Sequence, residues 1–453
     1  MAKSTTEYKC QACGLTSLKW LGKCPSCGGW NTLLEEAIAA KGARKREPPG
    51  VKVGPMEIRD IPADQAMRMP TGIGELDRVL GGGLVLGGVV LVGGDPGVGK
   101  STLLLQALAS IARQGARTLY VTGEESAAQT ALRARRLGLD VENLFVQAVS
   151  QLSEVEAAVA QIKPVAVVVD SVQTLRADEI EAAAGTVSQL REVAARLVDL
   201  AQRERAGTFL VGHVTKEGTL AGPKVLEHLV DTVLAFEGER AHSFRALRTT
   251  KNRFGPATEV GLFEMTSLGM REVTQPSALF LSERPKHASG SVVASTSEGA
   301  RSLLVEVQAL VGPPGAGTPR RNTQGGDAGR LSMLLAILGR RAGVDVGACD
   351  VFVNIAGGMR IEEPALDLGI ALAVASSYRD RPFPEGAIVF GELGLAGEVR
   401  GVARGGARLA EARAMGFTRA ILPASTFARL TEEERKGFEF TPVRSVEAAV
   451  DLL

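Results

Sequence analysis

Eight consecutive residues, Gly94, Asp95, Pro96, Gly97, Val98, Gly99, Lys100 and Ser101, carry the spacing G-x4-G-K-[ST]. That spacing suits the binding of a nucleoside triphosphate, with ATP as the expected ligand. The glycines let backbone N–H groups curl round the phosphates, and a helix opening at the lysine adds its positive end. Lys100 would neutralise the β- and γ-phosphates, Ser101 would ligate Mg2+, and Thr102 offers a further phosphate contact. Asp170 closes the apolar run 165–169 and is expected to hold Mg2+ directly or through water. Hydrolysis also needs a group that orients the attacking water. Glu124, in Tyr120-Val-Thr-Gly-Glu124-Glu125-Ser126, is the first choice and Glu125 the second. The competing reading is that these acids simply begin a helix.

A second chemistry is written at the amino terminus. Cys10 and Cys13 form one C-x2-C knuckle, Cys24 and Cys27 another, ten residues further on. Two such turns bring four thiolates to the corners of a tetrahedron, the arrangement of a structural Zn2+ site. The alternative is a disulfide pair, which a cytoplasmic chain disfavours. So short a segment has almost no apolar core, and metal would supply most of its folding energy. Cys349 stands alone among apolar neighbours and reads as a core residue.

The elements that must position these groups follow from periodicity. Apolar runs at 89–92, 118–122, 165–169 and 208–211 alternate with helical stretches at 101–113 and 188–205, implying a mostly parallel sheet with crossover helices. A length of 453 residues implies about three domains. The divisions expected are a zinc finger at 1–35, a linker at 36–60, an α/β nucleotide-binding domain at 61–275 and a second α/β domain at 285–453. Residues 275–291 read as a second linker, 312–329 as a Gly/Pro/Arg loop, 331–341 and 364–378 as helices, and 350–355 as a strand. Net charge is +1, which does not advertise nucleic-acid binding, although local basic patches are compatible with it. Aromatics make up only 4% of residues, which argues against a single-strand binder that works by base stacking. The opening MAKSTTEYKC lacks the apolar core of a secretory signal and no long apolar run follows. A cytoplasmic location without membrane contact is expected.

Four cysteines, then GDPGVGKST, then Lys251-Asn252-Arg253-Phe254-Gly255, then a protease-like tail: this order resembles the bacterial RadA (Sms) family of recombination and repair proteins. The resemblance covers essentially the whole chain. It implies a RecA/DnaB-like core that assembles as a homo-oligomer, in these motors a hexameric ring, with nucleotide at subunit interfaces. Lys251 and Arg253 would then sit at an exposed hairpin tip and act on the neighbouring subunit's γ-phosphate as a cationic finger. The loop after strand 208–211 would line the ring's channel, with Lys216 and Lys224 on DNA phosphates. The tail resembles the proteolytic domain of Lon in Glu363-Pro-Ala-Leu-Asp367-Leu-Gly369-Ile and in Gly391 to Val402. Asp367 falls where Lon's nucleophilic serine stands and Gly406 where its lysine stands, so the dyad that would cleave peptides is missing. Ser376 and Ser377 lie nearby without a usable lysine. Arg320, Arg321, Arg330, Arg340, Arg341 and Arg360 would give this domain a phosphate-binding face, or be an ordinary solvated or inter-subunit surface. The implied function is a DNA-dependent ATPase and helicase of homologous recombination and DNA repair. It would translocate on single-stranded DNA and drive branch migration on branched DNA beside the RecA recombinase. The rivals are an ATP-dependent protease and a RecA-like switch that does not move on DNA.

Overall fold

A computed structural model describes residues 6–10, 16, 17, 19, 22–30, 33–37, 57, 59, 67–212, 224–238, 244–285, 287–314, 318–356, 361 and 363–453. The chain divides into two units, residues 1–65 and 66–453. In the first, β1 (Thr6–Cys10) lies between β2 (Thr16–Ser17) and β3 (Leu33–Ala37) in an antiparallel sheet.

The second unit enters through β4 (Arg68–Met69), α1 (Gly74–Leu80) and β5 (Leu84–Val85). Strands and helices then alternate: β6 (Val89–Gly94), α2 (Lys100–Arg113), β7 (Thr118–Thr122), α3 (Ala127–Arg136), β8 (Leu144–Ala148), α4 (Leu152–Ile162), β9 (Ala166–Asp170), α5 (Val187–Glu204), β10 (Gly207–Val211) and α6 (Lys224–Glu227). After β11 (Thr232–Glu237) the chain turns antiparallel through β12 (Phe244–Asn252), β13 (Val260–Thr266) and β14 (Gly269–Glu272). Among the described residues these make one sheet of order β14-β13-β12-β11-β6-β10-β9-β7-β8, with β11, β6, β10, β9, β7 and β8 parallel.

Crossover helices cover both faces of the parallel part, so its strands are apolar on both sides. Val90, Val92, Tyr120, Val168 and Phe209 pack into one core, on the side of α2. Val89, Leu91, Leu119, Val167 and Leu210 pack into the other, with α4 and α5. Alternation with period two thus feeds two cores from one run of residues. Asp170 ends β9, Glu124 follows the end of β7 and Lys100 opens the helix after β6, so these candidates gather where side chains leave the core.

The remaining α-helices and strands described are α7 (Pro276–Leu281), β15 (Ser291–Glu298), β16 (Arg301–Pro314), β17 (Arg321–Gln324), α8 (Ala328–Arg341), β18 (Cys349–Ile355), α9 (Asp367–Arg379), β19 (Ala387–Val389), β20 (Glu392–Leu393), β21 (Val399–Arg400), α10 (Gly405–Ala414), β22 (Arg419–Pro423), α11 (Ala424–Phe427), α12 (Glu432–Arg435), β23 (Glu439–Val443) and α13 (Val446–Val450). Here the described strands form a sheet of order β17-β18-β16-β15-β19-β22-β23. Two expectations are corrected. The stretch 275–291 is no linker: α7 buries Phe280 in the tail's core, and Leu304 N–H donates to Ser277 Oγ at 3.0 Å. The loop expected at 312–329 is broken up: Gly312 to Pro314 continue β16, β17 occupies its middle and α8 begins at Ala328.

The tail is fastened to the sheet of nine described strands by charge as well as by core. The facing ends of β15 and β16 carry Glu298, which pairs with Arg248 of β12, and Arg301, whose Nη1 lies 2.9 Å from buried Glu75 of α1. Ala246, Val260 and Leu262 of the first sheet belong to the tail's own apolar cluster. A continuous core explains why residues 66–453 hold together as one unit.

Candidate functional site

The phosphate loop joins β6 to α2 at the carboxyl edge of the parallel strands. Gly94, Gly97 and Gly99 have φ of 150°, 82° and 116°, a region costly for residues with a Cβ. A Cβ on Gly94 would stand 2.4 Å from Phe236 O, and one on Gly99 2.9 Å from Met265 Cε. Asp95, Pro96 and Gly97 are exposed, whereas Val98 anchors the loop in the core. Ser101 and Thr102 are half-buried in the first turn of α2. Lys100 is buried, and its Nζ donates to Gly94 O at 2.6 Å and Asp95 O at 3.0 Å. Burial lowers its proton affinity; Asp170, Asp95 and Glu124 pull the other way. The loop is therefore folded and carries a cation held by carbonyl oxygens that an anion can replace.

Asp170 ends β9 and is buried beside this lysine; the Asp170–Ser171 peptide is cis. Its Oδ2 accepts the hydroxyl proton of Tyr120, a fully buried residue of β7, and the Ser101 side chain adjoins the same hydroxyl. Ser101 and Asp170 thus converge on one point, as hard oxygen donors that share Mg2+ must. Ser171 Oγ donates to Glu124 Oε1 at 2.6 Å, and the field of Glu124 reaches Lys100. Glu125 turns away: Arg133 Nη1 donates to its Oε1 at 3.2 Å and Thr130 Oγ1 to its Oε2 at 3.4 Å. The two neighbouring acids, equivalent in sequence, are separated by their partners. Sequence reasoning missed Tyr120, Arg133 and Ser171 altogether. Nothing in a strand written Thr-Leu-Tyr-Val-Thr marks its tyrosine as aimed at a carboxylate two strand positions further on in the neighbouring strand.

Lys251 and Arg253 lie at the other edge of the same sheet. Asn252 pairs with Thr232, Thr232 with Val90, and Val90 stands four residues before Gly94. Four residues of strand span roughly 13 Å. Arg253 is exposed and faces Asp231 at 3.6 Å, while Asp231 Oδ2 accepts Val89 N–H at 3.0 Å. Lys251 is not extended as at an open hairpin tip. Its Nζ donates to Glu227 O at 2.5 Å and Val230 O at 2.7 Å, and burial followed by the charge of Arg253 lowers its proton affinity. Asn252 Oδ1 accepts from Phe254 N–H at 2.9 Å, which sets the turn that presents Arg253. Within one chain, these cations and the phosphate loop occupy opposite edges.

Of the expected DNA contacts, Lys216 lies outside the described residues, as does Arg360, and Lys224 is described only as the first residue of α6. Arg320 pairs with Asp350 at 2.7 Å and Arg321 is exposed on β17. Arg330 is committed elsewhere: its Nε donates to Oδ1 of buried Asp367 at 2.8 Å, and Leu393 N–H caps Oδ2 at 3.0 Å. Burial raises the proton affinity of Asp367, and Arg330 opposes this. Together with Thr323, Asp327 and Glu363 the pair lines a cleft of about 310 Å3. No serine, cysteine, histidine or lysine is among its described lining residues. A Cβ at Gly406 would meet Glu434 Oε1 at 1.8 Å, so the position expected for a lysine has no room for one without displacement of Glu434.

In the first unit Cys24 N–H donates to Gly29 O at 2.9 Å and Gly28 N–H to Cys24 O at 2.8 Å. Gly28 has φ 73°. This is the tight reversal a metal knuckle needs, with Cys24 buried and Cys27 exposed. Cys10 ends β1, its side chain outside the described residues, as is Cys13.

Comparison with known proteins agrees with this layout. Residues 8–35 match the family described as a rubredoxin metal binding domain, 56–219 an AAA domain, and 333–426 the ChlI subunit of Mg-chelatase. The chain is 47% identical to the DNA repair protein RadA of Aquifex aeolicus over 453 residues, covering 100% of both chains. It is 48% identical to that of Pseudomonas aeruginosa over 455 residues, again 100% of both, and 47% identical to that of Halalkalibacterium halodurans over 93% of both. Likeness of this degree from the cysteine knuckles to the end of the tail has one meaning: the chain belongs to the RadA family of DNA repair proteins.

Proposed function

We propose that the chain is a cytoplasmic DNA-dependent ATPase and helicase of homologous recombination and DNA repair, working as a hexameric ring. It moves on single-stranded DNA and drives branch migration of recombination intermediates alongside the RecA recombinase. The observation that supports this reading is that the candidate groups fall at two opposite edges of one sheet. Lys100, Ser101, Asp170 and Glu124 gather at the carboxyl edge, whereas Lys251 and Arg253 stand at the edge opposite. A ring that places one subunit's carboxyl edge against the next subunit's amino edge reunites them.

In that arrangement ATP enters between protomers and displaces the carbonyl partners of Lys100, whose charge then serves the phosphates. Backbone N–H groups of Gly97, Val98, Gly99, Lys100, Ser101 and Thr102 complete the cradle beside Asp95 and Pro96. Ser101 and Asp170 would hold Mg2+, which neutralises phosphate charge when bound. Glu124, steadied by Ser171, orients the attacking water. Arg253, with Lys251, stabilises charge on the neighbour's departing phosphate, a contribution on the order of 10^3 in rate. Release of that contact on hydrolysis moves the channel loop with Lys216 and Lys224 along the strand. Arg320 and Arg321 offer further phosphate contacts on the tail. Cys10, Cys13, Cys24 and Cys27 would hold Zn2+ as a structural ion that folds the amino-terminal segment.

Strand displacement on forked or three-stranded DNA with ATP tests the assignment. Wild-type chain should unwind; Lys100→Ala and Arg253→Ala should not, with folding and assembly intact. Unwinding that survives Lys100→Ala, or ATP turnover that is indifferent to single-stranded DNA, would refute the motor.

A further inference from the structure

The hydroxyl of Tyr120 occupies the junction between the two metal-binding positions and a third element. Its ring is fully buried in the sheet's core. The hydroxyl donates its single proton to Asp170 Oδ2. It accepts from Arg133 Nη2 at 3.1 Å, and the Ser101 side chain adjoins it. A phenol offers one donor and two lone pairs: Asp170 takes the proton, Arg133 one lone pair, and the second lone pair is left on the side of Ser101. Arg133 comes from α3, with its guanidinium 5.8 Å above the Tyr120 ring, and its other end holds Glu125.

A buried tyrosine needs some partner for its hydroxyl, and a backbone carbonyl would satisfy that need. Here the partners are instead the two groups that must face a divalent cation together. The arrangement has consequences for each. A serine that ligates through a lone pair must send its proton elsewhere, and the free lone pair of the phenol lies beside it. Asp170 has two oxygens, and the phenol fixes one of them, leaving the other with a defined direction. Arg133 polarises the phenol by donating to it, which strengthens the bond to Asp170.

We infer that Tyr120 is a positioning residue of the nucleotide site: its hydroxyl, held by Arg133, sets Asp170 and Ser101 in register for Mg2+. The inference rests on the nucleotide-site reading above, and it adds to that site a link from the metal position to α3.

The test is equilibrium binding of a fluorescent N-methylanthraniloyl ADP to the full-length chain, titrated with Mg2+ and repeated in EDTA. Loss of an outer partner of a metal ligand costs about tenfold or more in metal affinity. Tyr120→Phe keeps the ring and its packing, so half-saturating Mg2+ should rise by about tenfold. Affinity in EDTA, carried by the loop and Lys100, should stay within about twofold of the parent. Arg133→Met should shift the Mg2+ midpoint in the same direction by a few-fold, and it decides the matter alone if Tyr120→Phe does not fold. A lowered melting temperature with an unchanged Mg2+ midpoint would mean that Tyr120 only packs, and the inference falls while the nucleotide site stands. A parent chain that binds the nucleotide without any response to Mg2+ overturns both.

Discussion

Glu124 and Glu125 are adjacent and identical in chemistry, yet their surroundings give them different partners. Glu124 is exposed at the strand's carboxyl end, accepts from Ser171 and lies within the field of Lys100. Glu125 is tied to Arg133 and Thr130 on α3. General-base catalysis contributes about 10^2–10^4 in rate, and an amide cannot supply it. Glu124→Gln should therefore lower DNA-stimulated ATP turnover at least about a hundredfold while nucleotide affinity holds. Glu125→Gln should cost less than about tenfold in turnover and act through α3. Single-turnover hydrolysis measured beside equilibrium nucleotide binding separates the two. A larger loss of turnover in Glu125→Gln than in Glu124→Gln would reverse the assignment.

At the scale of elements, the parallel strands were legible because burial on both faces leaves short, Val-rich apolar runs such as 89–92 and 165–169, told from an apolar helix such as α9 by their length and β-branched content. The phosphate loop was legible because its geometry demands glycine at fixed places, and Gly94 and Gly99 indeed sit where a Cβ would collide. What spacing left dark depends on partners distant in sequence. Helix α7 reads as a linker because six residues, Pro-Ser-Ala-Leu-Phe-Leu, show no helical period; Phe280 is held by the tail's core. Asp367 reads as a lost serine and Arg330 as one more surface cation, although together they form a bidentate pair between α8 and α9. That pair ties α8 to α9 at the wall of the cleft. Asp367→Ala would leave the guanidinium of Arg330 beside the void, its side chain 33% exposed. Breaking a fully buried pair costs about 3–5 kcal/mol, and partial exposure should reduce this to roughly 2–3 kcal/mol. Urea denaturation should show that loss, and Asp367→Leu combined with Arg330→Met should recover most of it. A loss in the double variant as large as in Asp367→Ala would mean that shape, and not charge, holds α8 to α9.

For the whole molecule the decisive geometry is a distance that one chain cannot close. Arg253 leaves the sheet beside Asp231 and Val89, at the strand beginnings, whereas Glu124 and Asp170 leave it at the strand ends. The intervening strands are fully buried between crossover helices, so neither group can swing across the sheet without unfolding it. The tail is locked to the same sheet through Glu75 and Arg248. If the groups act together, they do so from different copies, and a head-to-tail ring is the closed assembly that repeats such a contact. This makes a prediction that no single-chain site can imitate. Glu124→Gln and Arg253→Ala each disable every interface of a uniform ring, yet both retain the phosphate loop and should assemble. Mixed at equal amounts, they should form interfaces in which a Glu124 from one variant meets an Arg253 from the other. Random assembly puts about a quarter of interfaces in that state, and ATP turnover should rise to a comparable fraction of wild type if interfaces fire independently. Less recovery, but still above either parent, would mean that firing is coordinated round the ring. Turnover of the mixture no greater than the mean of the two variants alone would show that Arg253 does not complete a neighbour's site.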